Sequence, residues 1–364
     1  MLNPLARFKL KTRREQRLKK INFTDYGSGL LPGCIAHSRY YHLLRGGHWR
    51  KLLNFARAEA ARFFNCETTG ARPYFLSVEP VNFCNLKCPL CTMGRTPSDD
   101  TLDFGLYSEL LARLGPYVAR MELYKRGEPF LHPRIIEMLT LASAHGIETT
   151  IASNLNVMPE GGATALVRSG LNVLIASLDG TSQESYEKYR LCGKLQSVLD
   201  NVSAIAAAKK KLGKKTPFLL LQFVVFKHNE SETEQAVELA RACGADQLMF
   251  KPAFIPEGES YRRDWMPDNP AFSPDTGHGR DLTCAWPWGG LNVFADGAAS
   301  VCYRDETCRW TLRELLDRDF AQWNGALLRC SRAAVARREK GASCAGMESP
   351  CAGCQNFGGN NFWI

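Results

Sequence analysis

From Pro73 onward, short apolar runs alternate with longer segments in which apolar residues recur every three or four positions. Runs of the first kind are typical of buried strands, and segments of the second kind are typical of amphipathic helices. The pattern predicts six strands, at 74–78, 120–123, 148–152, 173–177, 218–225 and 247–251. It predicts helices between them, near 104–114, 133–145, 162–169, 195–211 and 232–242.

Strand–helix alternation of this length favours a parallel sheet with right-handed crossovers. Six strands are too few for a closed eight-stranded barrel, so we expect an α/β fold with an open, partial (β/α)6 barrel. In such sheets ligands bind beyond the carboxyl ends of the strands. The active site is therefore expected in the loops that follow the strands.

The alternation is absent at both ends of the chain. Residues 1–72 join a basic tail to a helical stretch and predict a helical N-terminal extension. After about Pro256 the chain is rich in Pro, Gly, Asp and Asn, which marks a boundary. Runs at 291–294 and 299–303 flank Asp296-Gly297 and predict a β-hairpin. We therefore expect three regions, at 1–72, 73–255 and 256–364.

The formal net charge of +9 is concentrated in the first 20 residues, which hold eight Lys or Arg and one Glu. This tail is interpreted as a solvated end, with peripheral contact to a membrane surface or an acidic partner as the alternative. The sequence has neither zinc-finger spacing nor an aromatic RNA-binding motif, so no nucleic-acid partner is expected. It has no run of about 18 apolar residues, so no transmembrane segment is expected.

The chain contains 14 cysteines, grouped locally in a long sequence without a signal peptide. This grouping favours metal ligation in a reducing, cytoplasmic compartment over a disulfide framework. Three of the thiols, Cys84, Cys88 and Cys91, follow the first predicted strand with the spacing C-x3-C-x2-C. Three thiolates can bind three irons of a four-iron cluster and leave the fourth iron open to a small molecule. The alternative is three buried cysteines that lie close together without a metal.

Further motifs follow the next strands: Gly127-Glu128-Pro129, Ser177-Leu178-Asp179-Gly180 and Tyr189-Arg190. Together with the cysteine triplet they resemble the radical S-adenosylmethionine (radical SAM) superfamily, over about residues 73–255. The resemblance implies a [4Fe-4S] cluster held by Cys84, Cys88 and Cys91, with S-adenosylmethionine on the fourth iron. Reductive cleavage would give a 5′-deoxyadenosyl radical that abstracts hydrogen from a substrate. An electron donor such as flavodoxin or ferredoxin is implied.

The resemblance also implies which residues bind S-adenosylmethionine. The backbone at Arg126, Gly127 and Glu128 would receive its amino group, although Arg126 stands where a glycine is commoner. Leu90 replaces a more usual aromatic residue and would pack on the adenine. The remaining candidates are Ser153, Asn154 and Ser177 for the ribose or carboxylate, Arg190 for the methionine carboxylate, and Gln222 facing into the barrel. Each also has a structural interpretation, as a turn, a cap or a surface residue.

The C-terminal cysteines form a second group. Cys284 is followed by Trp286-Pro287-Trp288, the hairpin and Cys302, and a C-x2-C pair, Cys351 and Cys354, lies near the end. The arrangement resembles the SPASM or twitch auxiliary-cluster extension of radical enzymes. It implies one auxiliary [4Fe-4S] cluster held by these four cysteines, with Cys344 and Cys308 as substitutes. Tetrahedral zinc is the competing interpretation.

The expected function is that of an oxidoreductase or isomerase that abstracts hydrogen from a small polar metabolite, such as a sugar or cyclitol. The first alternative is a maturase of a ribosomally made peptide; the second is a non-catalytic iron–sulfur or zinc protein. If the substrate radical is quenched by a thiol, Cys192 and Cys308 are the candidate donors.

Overall fold

A computed structural model of the chain describes residues 46–91, 99–253, 255, 258–272, 284–302, 310–337, 343–344 and 347–348. The strands are β1 Phe75–Val78, β2 Arg120–Glu122, β3 Glu148–Ser153, β4 Val173–Ser177, β5 Phe218–Val225, β6 Gln247–Pro252, β7 Gly290–Val293, β8 Ala298–Ser300, β9 Trp310–Thr311, β10 Ser343–Cys344 and β11 Met347–Glu348. The helices are α1 Trp49–Phe63, α2 Phe104–Leu114, α3 Ile135–Ala144, α4 Gly162–Arg168, α5 Gln183–Tyr189, α6 Leu195–Lys211, α7 Thr233–Ala242, α8 Glu259–Trp265, α9 Trp286–Gly289, α10 Leu312–Asp317 and α11 Ala326–Arg337.

Nine strands form one sheet in the order β6-β5-β4-β3-β2-β1-β7-β8-β9. Strands β1 to β6 are all parallel, with the connecting helices between them. The predicted α/β fold on an open parallel sheet is therefore confirmed. All six predicted strands lie within one residue of the observed bounds. β4 and β5 are nearly continuous apolar runs, whereas β2 and β3 have polar residues at their ends and are marked mainly by the helical segments on either side.

The hairpin β7–β8 has the predicted turn, with Gly297 at φ +80°. Its position is a finding that the sequence did not indicate. Strand β7 pairs in parallel with β1, from Phe75↔Gly290 to Val78↔Val293, so the C-terminal part extends the sheet of the core. The predicted region boundary at 256 thus lies between segments that share one sheet.

The two faces of the sheet have different roles. On β5, Leu219, Leu221 and Phe223 pack into the large core shared with the helices, whereas Leu220 packs with Val173 on the opposite face. This second face lines the interior of the partial barrel. Polar side chains cap the N-termini of two helices: Asp103 caps α2, and Ser182 forms a capping box on α5.

Helix α1 closes the amino end of the sheet. The ammonium of Lys51 donates to the carbonyls of His145 (2.6 Å) and Gly146 (2.9 Å), just before β3. The amide of Asn54 donates to the carbonyl of Tyr117, before β2. The predicted helical extension is thus present in the described part of residues 1–72, and it leaves the carboxyl end of the sheet free for a site. No helix in the described residues is long and apolar enough to cross a membrane.

Candidate active site

The loop that carries the cysteine triplet is tied to the Gly127 motif through its backbone. The Glu128 N–H donates to the carbonyl of Phe83 at 2.9 Å. A Cβ on Gly127 would lie 2.2 Å from the carbonyl oxygen of Val81 and 2.8 Å from that of Phe83. Only glycine allows this approach, since no side-chain rotation can relieve a clash with backbone. The motif therefore holds the cysteine loop against the end of β2.

The side chain of Glu128 is directed into the protein. Its carboxylate accepts hydrogen bonds from the Ser153 hydroxyl (2.8 Å) and from the backbone N–H groups of Asn154 (2.7 Å) and Phe130 (3.1 Å). Burial raises the pKa of this carboxyl to about 7, against the opposite effect of these hydrogen bonds. Glu128 thus joins the ends of β2 and β3.

Ser153 and Asn154 lie where predicted, at the end of β3. The Ser153 hydroxyl also accepts from the Leu155 N–H at 2.8 Å, so it is engaged within the protein. The Asn154 amide donates to the side-chain oxygen of Asn85 (2.8 Å) and to the sulfur of Cys84 (3.5 Å). Asn154 therefore bridges β3 and the cysteine loop. Its predicted contact with S-adenosylmethionine stays a prediction.

Arg190, at the end of α5, points inward. Its guanidinium pairs with the fully buried Asp179 through Nε (2.6 Å) and Nη2 (2.5 Å), and Nη1 lies 3.8 Å from the Cys88 sulfur. Burial alone would lower the pKa of Arg190, but Asp179 and Cys88 hold it well above its ordinary value. The Arg190 guanidinium, which the sequence predicts to bind the methionine carboxylate, is thus paired with a carboxylate of the protein.

Sequence reasoning missed the role of Asp179. This residue, which the sequence analysis named only as part of the Ser177-Leu178-Asp179-Gly180 motif, adopts φ +45° and accepts from the Val224 N–H at 2.7 Å through its second carboxylate oxygen. The Asn229 amide donates to its backbone carbonyl at 3.0 Å. The available signal was an acidic residue directly after a buried strand; for Asn229 the sequence offers none.

Arg126 is paired in the same manner. Its guanidinium contacts both carboxylate oxygens of Glu79, at 2.9 and 3.1 Å, and the Glu79 side chain is fully buried at the end of β1. Glu79 is therefore a second acidic strand-end residue that the sequence analysis passed over. Leu90 is buried and packs with Phe226 and Ala253, near the ends of β5 and β6.

The barrel-facing candidates lie on the expected side. Gln222 alternates with Leu221 and Phe223, which pack on the helix side, so it faces the interior. Ser177 is its register partner on β4 and is 8% exposed. Lys251 follows on β6, where burial lowers its pKa to about 8 against the opposing effect of Asp179 and Glu122. The interior is therefore polar toward the carboxyl ends of β4, β5 and β6.

The three thiols of the triplet form one electrostatic group. Burial raises the pKa of Cys84 to about 11, and Glu128, Cys88 and Cys91 add to the increase. Burial also raises the pKa of Cys88, with Arg190 opposing. Metal binding would displace these protons, because the thiolate is the ligand.

Within the described residues no three His, Cys, Asp or Glu side chains surround a single point as ligands of one metal ion do. A four-iron cluster sets a different requirement, since each thiolate binds a different iron and the sulfurs stand apart. Three thiols on one loop, two of them contacted by N–H donors, fit such a cluster. The ligand role of Cys84, Cys88 and Cys91 stays a prediction on this geometry.

The auxiliary cysteines are only partly described. Cys284 is exposed and acts electrostatically on Tyr74, and Cys302 packs against the cluster that contains Tyr74, Phe75 and Trp286 and also against the large core. Both therefore lie at the amino end of β1, opposite the triplet. Cys308, Cys351 and Cys354 lie outside the described residues, as does the side chain of Cys344. Cys192 is exposed, with φ +69°, beside Leu191, whose carbonyl accepts from the Lys87 N–H of the cysteine loop.

Comparison with known proteins agrees with the fold and motifs. Residues 78–240 match the family model of the Radical SAM superfamily, and the chain belongs to this superfamily. Its members are enzymes, and membership implies a [4Fe-4S] cluster and S-adenosylmethionine. A SPASM domain is not among the matches that the comparison gives.

Two curated relatives differ in how much of the chain they match. GTP 3′,8-cyclase of Chlorobaculum tepidum is 28% identical over 190 residues, 51% of this chain and 55% of that protein. The chain thus spans about half the length of this relative. PqqA peptide cyclase of Ruegeria pomeroyi is 27% identical over 279 residues, 66% of this chain and 70% of that protein.

Among solved structures, Streptococcus suis SuiB bound to S-adenosylmethionine superposes with a TM-score of 0.59 at 15% identity, over 88% of this chain and 85% of SuiB. SuiB bound to its precursor peptide SuiA superposes with a TM-score of 0.57 at 15% identity, over 78% of this chain and 72% of that one. At this identity the likeness concerns the fold.

Proposed function

We propose that this chain cleaves S-adenosylmethionine reductively at the carboxyl end of its sheet and abstracts hydrogen from a ribosomally made peptide. The cluster supplies the low-potential electron and the open iron when bound. Cys84, Cys88 and Cys91 would hold it, and the chain's other residues position the loop: Gly127 by close backbone approach, and Glu128 by joining the ends of β2 and β3.

The peptide assignment rests on one observation. The match to PqqA peptide cyclase covers 66% of the 364 residues, about 240, which is more than the 163 residues of the superfamily domain at 78–240. The similarity therefore includes chain outside that domain, where members of one superfamily differ in substrate. This proposal replaces the small metabolite as first choice.

A small polar metabolite remains the second candidate, because a different feature favours it. The barrel interior presents Gln222 on β5, Lys251 on β6 and the buried Glu122 on β2. Polar groups facing a pocket suit a compact substrate with several hydrogen-bonding groups. The similarity to GTP 3′,8-cyclase, over about half of each chain, agrees with this alternative.

Deuterium transfer distinguishes the two substrates. The source organism is grown in deuterated medium, and its extract is divided into protease-treated and untreated halves. Each half is incubated anaerobically with the reduced, reconstituted protein and unlabelled S-adenosylmethionine. Deuterium in 5′-deoxyadenosine that disappears after protease treatment supports the peptide. Deuterium that persists after the treatment overturns the peptide assignment in favour of the metabolite.

For the C-terminal cysteines we propose one auxiliary [4Fe-4S] cluster held by Cys284, Cys302, Cys351 and Cys354. What supports it is the shared location of Cys284 and Cys302 at the amino end of β1, although they are 18 positions apart in sequence. From Tyr74 to Glu79 the chain covers about 17 Å at roughly 3.3 Å per residue. An auxiliary cluster at the amino end of β1 would accept an electron from the substrate side or relay one to the cluster at the triplet. Zinc in place of iron in the reconstituted protein would overturn this assignment.

A further inference from the structure

Two thiols of the triplet receive N–H groups from elements outside their own loop. The Asn154 amide, at the end of β3, lies 3.5 Å from the Cys84 sulfur. The Arg190 guanidinium, at the end of α5, lies 3.8 Å from the Cys88 sulfur. Within the loop the Leu86 N–H adds a third donor, 3.4 Å from Cys84. The two sulfurs thus accept from donors in three separate segments: the end of β3, the end of α5 and the cysteine loop itself.

The position of Arg190 is determined by the core of the protein. Its partner Asp179 is fully buried and is fixed by the Val224 N–H at 2.7 Å and the Asn229 amide at 3.0 Å. Asn229 is itself fully buried, and its side-chain oxygen accepts from the Phe226 N–H at 2.7 Å. The Nε and Nη2 atoms of the guanidinium contact Asp179, and the remaining nitrogen, Nη1, faces the sulfur of Cys88.

Asn154 is fixed with similar rigidity. Its backbone N–H donates to the buried carboxylate of Glu128 at 2.7 Å, and its side-chain oxygen accepts from the Asn156 N–H at 2.9 Å. The side-chain nitrogen is left to Asn85 and Cys84. Both donors would therefore keep their places when the thiols become thiolates.

Hydrogen bonds to cluster sulfurs, and nearby charge, are among the factors that set the reduction potential of an iron–sulfur cluster. An N–H donor stabilises the more negative, reduced state and raises the potential, most strongly when the donor is a cation. We propose that Arg190 and Asn154 act as positioning residues that tune the reduction potential through the sulfurs of Cys88 and Cys84, and that Asp179 moderates the charge of Arg190. This inference rests on the proposed ligand role of the triplet.

The test is the midpoint potential of this cluster in the full-length protein, reconstituted with iron and sulfide, without S-adenosylmethionine. The potential is followed by electron paramagnetic resonance. The relevant signal is the one that is lost in the Cys84/Cys88/Cys91 triple alanine variant. Arg190→Gln should lower the potential by about 59 mV, which is a tenfold change in a one-electron equilibrium. Asp179→Asn should raise the potential, because the guanidinium then lacks its counter-charge.

Asn154→Leu should lower the potential by less than Arg190→Gln, since a neutral donor is lost. Arg190→Lys keeps the positive charge but lacks the planar guanidinium, so its midpoint potential should lie between those of wild type and Arg190→Gln. The control is Lys209→Met, which breaks the 2.5 Å ion pair with Asp246 at the amino end of the sheet. This control should leave the potential unchanged.

Opposite signs for Arg190→Gln and Asp179→Asn are the decisive result, since general damage to the site would shift both in one direction. The inference is overturned if the midpoint potential shifts in the same direction in both variants, if it does not shift, or if both variants lose the cluster. If Arg190→Gln instead weakens S-adenosylmethionine binding at an unchanged potential, Arg190 contacts the methionine carboxylate as the sequence predicts and the inference is wrong. A wild-type protein that holds no cluster at the triplet, or forms no 5′-deoxyadenosine, contradicts the proposed function itself.

Discussion

The two ends of strand β1 carry cysteines in different surroundings. At the carboxyl end, the sulfurs of Cys84 and Cys88 face N–H donors of Asn154 and Arg190. At the amino end, Cys302 packs against the cluster that includes Tyr74 and Trp286 and against the large core. The same side-chain chemistry is thus placed in a polar environment at one end and in an apolar environment at the other.

The difference follows from the direction of the strands. Because β1 to β6 are parallel, their carboxyl ends meet at one edge, and the residues after each strand supply polar side chains to a common space. Glu79, Asn154 and Asp179 all belong to this set. The amino end is closed by α1, which binds the carbonyls before the strands. The carboxyl end therefore suits a small molecule with many polar groups. The amino end, which α1 covers, suits a bound group that does not exchange with solvent.

Removing thiols at either end, so that two ligands remain there, should give the largest contrast. Cys88→Ala should abolish 5′-deoxyadenosine formation, because two thiolates do not secure the cluster. The double replacement Cys284→Ala and Cys302→Ala should retain this formation and lower the iron content from about eight to about four atoms per chain. Iron analysis and chromatography of 5′-deoxyadenosine measure both. Cys243→Ala, at a buried free thiol of the helix-side core, is the control and should change neither.

Filling a glycine at each end should give the next largest contrast. Gly127→Ala places a Cβ 2.2 Å from the Val81 carbonyl oxygen, and Gly289→Ala places one 2.0 Å from the Tyr74 ring. Both should destabilise the protein by about 3 kcal/mol, as overpacking does. Only Gly127→Ala should also abolish cleavage of S-adenosylmethionine.

Denaturant unfolding of the apo-protein measures the stability of the two glycine variants, and assays of 5′-deoxyadenosine measure their cleavage of S-adenosylmethionine. Gly70→Ala is the matched control, because its Cβ meets no atom within 4 Å. Equal loss of cleavage in Gly127→Ala and Gly289→Ala would contradict the division between the two ends.

The smallest expected effect is a pH dependence at the carboxyl end. Burial raises the pKa of Glu128 to about 7, so the folded state keeps its proton where the unfolded state has lost it. This group should therefore lower the free energy of unfolding by about 3 kcal/mol as pH rises from about 4.5 to about 7, with no further change above. Unfolding titrations of the apo-protein from pH 5 to 8 measure the slope. Glu128→Gln should flatten it; an unchanged slope in this variant would assign the dependence to other groups.

The sequence predicted the sheet well, since the alternation of strand and helix patterns is a local property of the chain. It predicted α2 and α6 at their observed bounds, and it missed α5, a seven-residue helix of mostly polar residues. It also predicted the hairpin turn from Asp296-Gly297. It did not predict that β7 would pair with β1, because pairing between strands more than 200 residues apart leaves no local pattern.

By itself, the sequence determined the cysteine spacing, the order of strand-end motifs and hence the superfamily, because ligand identity and periodicity are written along the chain. Only the tertiary structure decided what those motifs contact. It directed Glu128 and Ser153 to each other, paired Arg190 with Asp179 and Arg126 with Glu79, and put the two described auxiliary cysteines at the opposite end of β1. A buried charge requires a partner, and that partner is supplied by whichever strand end lies adjacent in space.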